Sequence, residues 1–317
     1  MTCCDCIIKF IGVSALSLLA VCISKIVYKL VYPFFLAKTP DLHKLAGAKY
    51  AVVTGATDGI GKQFATQLAQ KGFGVVLVSR SEEKLGSVKK EIEELVAGAE
   101  VETIVFDFTC SDAKEYENKI FKKLRTLEVG ILVNNVGIAT EAPEILHKTF
   151  GEPERSRNVS VVNTLPTTIL SQEVLKQMVP RNSGIIINIG SLLGSQQFAE
   201  WSVYSSTKKY ISHLSGILNK EYAPLGITIQ SLTTGLVTTN LSKVKKTSFF
   251  APNPSTYVHS ALGTVGNIQE TTGYFAHQLQ FEFINLLPTW LIDYVIKKEN
   301  TVMRKNLLRS SEHKKNN

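Results

Sequence analysis

Between residues 50 and 232 short, predominantly apolar runs, several of them unbroken, alternate with longer stretches whose apolar positions recur three and four apart. The runs are Tyr50–Thr54, Val75–Arg80, Val101–Phe108, Val129–Val133, Gly184–Gly190 and Ile227–Leu232. A run without polar alternation predicts a strand buried on both faces, as in a parallel sheet. The intervening stretches Lys62–Lys71, Glu82–Val96, Phe150–Val179 and a segment running to Tyr222 predict helices. Six strands alternating with helices predict an α/β fold, a doubly wound parallel sheet in a single domain.

Two further apolar stretches break that rhythm. Residues 10–24 carry no charge, and with Lys25 and Lys29 snorkelling the hydrophobic segment extends from about Ile7 to Ala37. Fifteen uncharged residues reach roughly 22 Å, short of a hydrocarbon core of about 30 Å, so a span must recruit the following turns. This segment is read as a membrane anchor; a cleaved signal peptide and an amphipathic surface helix are the rival readings. Lys25, Lys29, Lys38, Lys44 and Lys49 follow it, which places the body in the cytosol if the segment spans once. Gly273–Ile296 is also apolar but holds Glu282, Pro288 and Asp293. It is read as a seventh strand and helices that line a lipid pocket or touch the bilayer, rather than as a second span. From Thr239 to about Gln269, Lys243, Lys245, Lys246 and the turn Pro252-Asn253-Pro254 predict a polar, mobile flap over a substrate cleft. The expected organisation is anchor and linker (1–46), core (47–240), flap and apolar pocket-forming segment of the same domain (241–300) and basic tail (301–317).

Charge sharpens this picture at the ends. Of the net +8, residues 1–50 contribute +4 and residues 297–317 contribute +5, leaving the middle near neutral. A nucleic-acid groove needs its basic charge on the folded body, so that role is excluded; basic ends beside apolar segments suit a membrane surface. The chain closes on Lys314-Lys315-Asn316-Asn317. Lysines three and four from the C-terminus resemble the dilysine retrieval signal of endoplasmic reticulum membrane proteins, the alternative being a plain basic tail. Cys3, Cys4, Cys6 and Cys22 crowd the N-terminus and only Cys110 lies in the body, so no disulfide framework is expected and the compartment is reducing. No metal site is expected, because Cys3-Cys4-x-Cys6 has no partner cluster.

The first strand runs into Thr54-Gly55-Ala56-Thr57-Asp58-Gly59-Ile60-Gly61 and then a helix. Glycines there let the backbone turn tightly against a pyrophosphate, which gains from the helix N-terminal amides and dipole. Thr54, Gly55, Thr57, Asp58, Gly59, Ile60 and Gly61 are the expected contacts. The second strand ends in Ser79-Arg80, where an acid would bind a ribose 2′-hydroxyl; Arg80 suits a 2′-phosphate, so NADP(H) is the expected cofactor, against a solvated Arg as the alternative. Asp107 either bonds the adenine amine or caps the next segment. Asn134-Asn135-Val136-Gly137 follows the fourth strand, where buried amides need partners; Asn134 and Gly137 are expected at the cofactor. The backbone at Val237, beyond the sixth strand, is placed against the nicotinamide amide.

Ser191 follows the fifth strand at the ligand-binding end of the sheet, and Tyr204 and Lys208 stand four apart on one helix face. A cation beside a phenol favours phenolate and lowers its pKa, so Lys208 is expected to tune Tyr204 as an acid/base while Ser191 holds a substrate oxygen. Asn163, on an apolar helix face, is expected to bridge through water to Lys208. The implied reaction is carbonyl reduction or alcohol oxidation.

Together Thr54-Gly55-x-x-x-Gly59-Ile60-Gly61, Asn134-Asn135-Val136-Gly137, Asn163, Ser191 and Tyr204-x-x-x-Lys208 resemble the short-chain dehydrogenase/reductase superfamily. That resemblance implies a Rossmann-like core, a catalytic tetrad at Asn163, Ser191, Tyr204 and Lys208, and Lys208 on the cofactor ribose. Within the superfamily, VVTGATDGIGK, SRSEEKL, ILVNNVG and NSGIIINIGS resemble the microsomal 17β-hydroxysteroid dehydrogenase and very-long-chain 3-oxoacyl-CoA reductase group, including its nematode steroid dehydrogenase-like members. One departure is Thr234-Gly235, where the group has Pro-Gly. The group implies keto reduction on a steroid or long-chain 3-oxoacyl-CoA at the endoplasmic reticulum membrane, with a possible homodimer. An oxidative retinol or steroid alcohol dehydrogenase and a catalytically silent binding protein are the alternatives. Lys243, Lys245 and Lys246 suit coenzyme A phosphates or anionic lipid.

Overall fold

The computed structural model describes residues 3–149, 151 and 153–315. Two helices, α1 (Cys3–Val31) and α2 (Leu42–Ala46), precede β1 (Tyr50–Thr54), α3 (Gly59–Gln70), β2 (Gly74–Ser79), α4 (Glu82–Leu95) and β3 (Val101–Val105). Short helices α5 (Ala113–Tyr116) and α6 (Lys122–Leu124) lead to β4 (Val129–Asn134), α7 (Glu154–Met178), β5 (Gly184–Ile189), α8 (Ser202–Tyr222) and β6 (Ile227–Leu232). The chain ends with α9 (Pro254–Gly263), β7 (Glu270–Thr271), α10 (Phe275–Leu286) and α11 (Thr289–Lys315). The seven strands form one parallel sheet in the order β3-β2-β1-β4-β5-β6-β7, the expected doubly wound, Rossmann-like architecture.

Every residue of β2, β4 and β5 is buried, which explains their unbroken apolar runs. On one face Phe64, Leu68, Leu85, Ile92, Tyr257 and Leu262 close the core; on the other Tyr116, Ile120, Leu124, Leu170, Val174 and Met178 do so. Removing such apolar area from water is the main force holding helices to the sheet.

Two expectations shift at the C-terminal side. The seventh strand lies at Glu270–Thr271, before the Gly273–Ile296 segment expected to hold it, and that segment is largely helical. A two-residue strand has no period to read. The segment expected as a flap to Gln269 contains α9, whose N-terminus Asn253 caps by accepting from Thr256 N at 2.8 Å, with Pro254 in the first turn. Tyr257, Val258, Ala261 and Leu262 are buried, so the apolar spacing of α9 belongs to the core. The long helix expected from Phe150 is described from Glu154 onward; Phe150 lies outside the described residues.

Helix α1 and the π-turn after it include a stretch, Lys9–Leu36, long and apolar enough to cross a membrane. Phe10 is 73% exposed. The stretch meets the body near its C-terminal end, through Lys29 Nζ 3.9 Å from Glu282 Oε1 and Phe34 and Phe35 edge-on to Phe275. An apolar helix so exposed suggests a membrane anchor. Leu42 and Ala46 of α2 are buried in the core, so packing of the body begins before β1. The dilysine motif falls among residues whose side chains lie outside those described.

Candidate active site

Strand order reverses between β1 and β4, and open α/β sheets bind ligands at such a switch point, beyond the C-terminal strand ends. Gly55, with φ +63°, starts the turn there in a conformation that side chains disfavour. Asn135 fastens it: Nδ2 donates to Thr54 O at 2.9 Å and to Gly55 O at 3.2 Å. A Cβ on Gly61 would collide with the Gly55 carbonyl oxygen and Asn135 Nδ2. Gly61→Ala is therefore expected to shift the turn, costing about 1–3 kcal/mol in a urea melt, with a cofactor titration showing affinity at least about tenfold weaker.

Thr54 is fully buried, and its Oγ1 donates to Val133 O and accepts from Asn135 N and Val136 N. It stitches β1 to β4 beneath the turn. Asn134 is likewise internal: Nδ2 donates to Ser171 Oγ at 3.1 Å and Asn188 Oδ1 at 2.8 Å, tying β4 to α7 and β5. Both expected contacts thus support the cofactor floor, because each is below the surface of the cleft.

That cleft, about 450 Å³, opens over the turn. Thr57, Asp58, Arg80, Asp107 and Gly137 line it, as five of the expected contacts should. Thr57 Oγ1 lies 3.0 Å from Ser79 Oγ. Asp107 takes the capping alternative with Oδ1, accepting from Thr109 N and Oγ1. Val237 is buried beyond β6, its carbonyl accepting from Ser242 Oγ. Sequence reading does not single out Arg155 or Asn240. Arg155 lines the cleft, donates from Nη2 to Ala139 O and keeps a buried Nε with no partner among the described residues. Asn240 Nδ2 donates to Asp58 Oδ2 at 3.0 Å, bridging flap and turn. These residues lack a sequence signal because distant segments bring them together. A larger concavity, about 850 Å³, lies between α1 and the β7 edge and is lined by none of these groups.

A nicotinamide dinucleotide fits the residues present. The glycine turn feeds the N-terminus of α3, and two guanidinium groups, Arg80 and Arg155, line one cleft.

Ser191, Tyr204, Lys208 and Asn163 do not line this cleft; Lys208 and Asn163 stand behind Gly137, which does, and Tyr204 bonds with Ser191 beside Lys208. Lys208 Nζ donates to Ile189 O at 3.0 Å and sits 5.8 Å from the Tyr204 ring centroid. Both Lys208 Nζ and Asn163 Oδ1 lie 3.3 Å from where a Cβ on Gly137 would stand. Asn163 is held directly: Oδ1 accepts from Ile138 N at 2.8 Å, while Nδ2 donates to Ile138 O and Thr207 Oγ1, both at 3.0 Å. Ser191 Oγ accepts from Leu193 N. Burial raises the Tyr204 phenol pKa and a hydrogen bond with Ser191 opposes the rise. The sequence reading expects Lys208 to lower that value. Desolvation sets the direction instead, because Tyr204 is buried, and burial likewise lowers Lys208 to about 8. At neutral pH the pair is a protonated phenol beside an ammonium, a loaded proton donor.

A parallel dinucleotide sheet with Ser, Tyr and Lys at its C-terminal edge defines an oxidoreductase. The chain belongs to the short-chain dehydrogenase family, whose pattern matches residues 49–248. It is 46% identical over 309 residues to the very-long-chain 3-oxoacyl-CoA reductase let-767 of Caenorhabditis elegans, covering 98% of each chain. It is 38% identical over 264 residues to the very-long-chain 3-oxoacyl-CoA reductase of Homo sapiens, covering 83% of each. Among solved structures, a short-chain dehydrogenase from Sphingobium yanoikuyae in complex with NADPH superposes with a TM-score of 0.60 at 27% identity, covering 68% of this chain and 83% of that one.

Proposed function

We propose that this protein is an NADPH-dependent reductase of long-chain 3-oxoacyl-CoA, anchored in the endoplasmic reticulum membrane with its body in the cytosol. The observation that carries the reading is the buried Tyr204 phenol bonded with Ser191 beside Lys208, whose ammonium stands behind Gly137 of the cleft lining. When bound, NADPH supplies a hydride to the carbonyl carbon. Tyr204 donates its proton to the carbonyl oxygen, and Ser191 holds that oxygen by a hydrogen bond. Lys208 would hold the cofactor ribose, and its ammonium keeps positive charge beside the phenol as the proton leaves. Asn163, its side chain bonded to Ile138 and Thr207 rather than bridged by water to Lys208, fixes the segment that carries Gly137 beside the ammonium. Burial favours the phenol over the phenolate, so the site as folded suits reduction better than oxidation.

The acyl-CoA reading is supported by the two named reductases and by Lys243, Lys245 and Lys246, which are exposed in the flap where a phosphorylated headgroup would rest. The membrane reading is supported by α1 and the lysines that follow it.

An NADPH oxidation assay with a long-chain 3-oxoacyl-CoA and a neutral ketosteroid tests the proposal on wild type and Arg80→Ala. Wild type is expected to prefer the acyl-CoA. Loss of one charge-assisted phosphate contact, about 1.5–3 kcal/mol, should weaken NADPH by about 10- to 100-fold and leave NADH unaltered. Equal loss with both cofactors would remove Arg80 from 2′-phosphate recognition, and turnover of the ketosteroid alone would overturn the substrate assignment.

A further inference from the structure

Outside the active site the C-terminal third of the body presents aromatic and aliphatic side chains that no part of the fold covers. Phe249 and Phe250 stand at the apex of a tight turn closed by Ser248 N to Ala251 O at 2.9 Å and Ala251 N to Ser248 O at 3.1 Å. Their rings meet edge to face at 5.0 Å, and they remain 56% and 43% exposed. The turn is fixed to α10, because His277 Nε2 lies 3.2 Å from Phe250 O. Along α10, Leu279, Phe283 and Leu286 recur four and three apart and form one exposed stripe, while His277, Gln278 and Glu282 face inward. The start of α11 continues it with Trp290 and Tyr294, each about two-thirds exposed or more. A soluble surface seldom exposes so many large apolar groups together.

What covers this face follows from its neighbour and its composition. Helix α10 is where the apolar N-terminal segment rejoins the body, through Lys29 at Glu282 and through Phe34 and Phe35 at Phe275. Phe35 and Leu36 are themselves exposed, so apolar surface runs from the anchor onto α10. Tryptophan and tyrosine favour the boundary between water and hydrocarbon, which suits the exposed Trp290 and Tyr294 at the edge of this face. We infer that the Phe249-Phe250 turn, the outer stripe of α10 and the start of α11 form a second membrane-contact face, seated in the interfacial layer of the bilayer that α1 enters. The inference rests on the anchor reading of α1.

That seating has a consequence for the site. Gln196 Nε2 donates to Asn285 Oδ1 at 2.8 Å, Trp201 Nε1 donates to Asn300 Oδ1 at 3.0 Å, and Asn300 Nδ2 reaches Ala199 O. The loop from Ser191 to Trp201 is therefore bonded to the two helices of the membrane face, with Trp201 packed 6.2 Å from the Tyr204 ring. The membrane face and the loop that carries Ser191 are thus one connected body.

The full chain reports on this directly, since its two tryptophans are Trp201 and Trp290. It is reconstituted in vesicles of phosphatidylcholine and phosphatidylserine whose acyl chains are brominated near the glycerol, and fluorescence is compared between wild type and Trp290→Phe. A face lying about 5–10 Å into the headgroup and acyl boundary should give at least about twofold bromine quenching of the Trp290 component, with little effect of aqueous iodide. Phe249→Trp in the Trp290→Phe background should be quenched in the same way. Flotation of the same vesicles separates the premise from the inference. A chain that fails to float removes the anchor and this face with it. A chain that floats while both reporters answer to iodide and ignore bromine has the face in water; one that ignores both quenchers has it covered by protein. Either result overturns the inference and leaves the anchor standing.

Discussion

Tyr204→Phe is expected to cut turnover by about 10²- to 10⁴-fold, the usual range for removing a general acid, while NADPH binding and thermal stability stay close to wild type. The phenol is buried, interacts with Ser191 and lies beneath the Lys208 ammonium, so deleting one oxygen removes the proton without altering the ring that packs on Trp201. Fold and cofactor cleft should persist, because the residues lining that cleft come from other elements. Steady-state NADPH oxidation checks turnover, and cofactor fluorescence with a melting curve checks the rest. A variant of full activity would take Tyr204 out of the chemistry. One that melts early would assign it to packing instead.

The placement of Tyr204 was legible in the sequence because local rules determine it. Unbroken apolar runs identify strands buried on both faces, and the turn after β1 and the Tyr204-to-Lys208 spacing are each contained in a few consecutive residues. What escaped depends on contacts between distant segments. Thr54 sits in a phosphate-binding sequence, yet its hydroxyl bonds β4. Arg155 reaches the cleft from the start of α7, and Asn240 reaches Asp58 across 182 positions of chain. The electrostatic direction at Tyr204 escaped for a related reason. Spacing along α8 shows that a cation is near, but only the packed site shows that phenol and ammonium have both lost water. The misplaced seventh strand has a different cause, since Glu270–Thr271 owes its conformation to pairing with β6.

Lys208→Met should lower turnover by at least about 10²-fold, as loss of a charge at a developing oxyanion does, and pH should distinguish its catalytic part from its burden on the fold. Burial lowers the ammonium from 10.5 to about 8. Below about 8 folded and unfolded chains both hold the proton, so the cost of burying the charge is present in full, at most about 3 kcal/mol. Between 8 and 10.5 the unfolded chain binds more protons than the folded one, and wild-type stability gains with rising pH. Methionine carries no such dependence. It also leaves the Ile189 carbonyl without its 3.0 Å donor, a loss of about 1 kcal/mol that pH does not change. The stability difference measured by urea unfolding should therefore move in favour of wild type as pH rises from 7 toward 10. Over the same range NADPH binding to the free wild-type protein should weaken as the ammonium loses its charge, with a midpoint near 8, and Lys208→Met should bind weakly with no such limb. A stability difference independent of pH would mean that the ammonium keeps its water. A binding limb that survives in Lys208→Met would belong to another group.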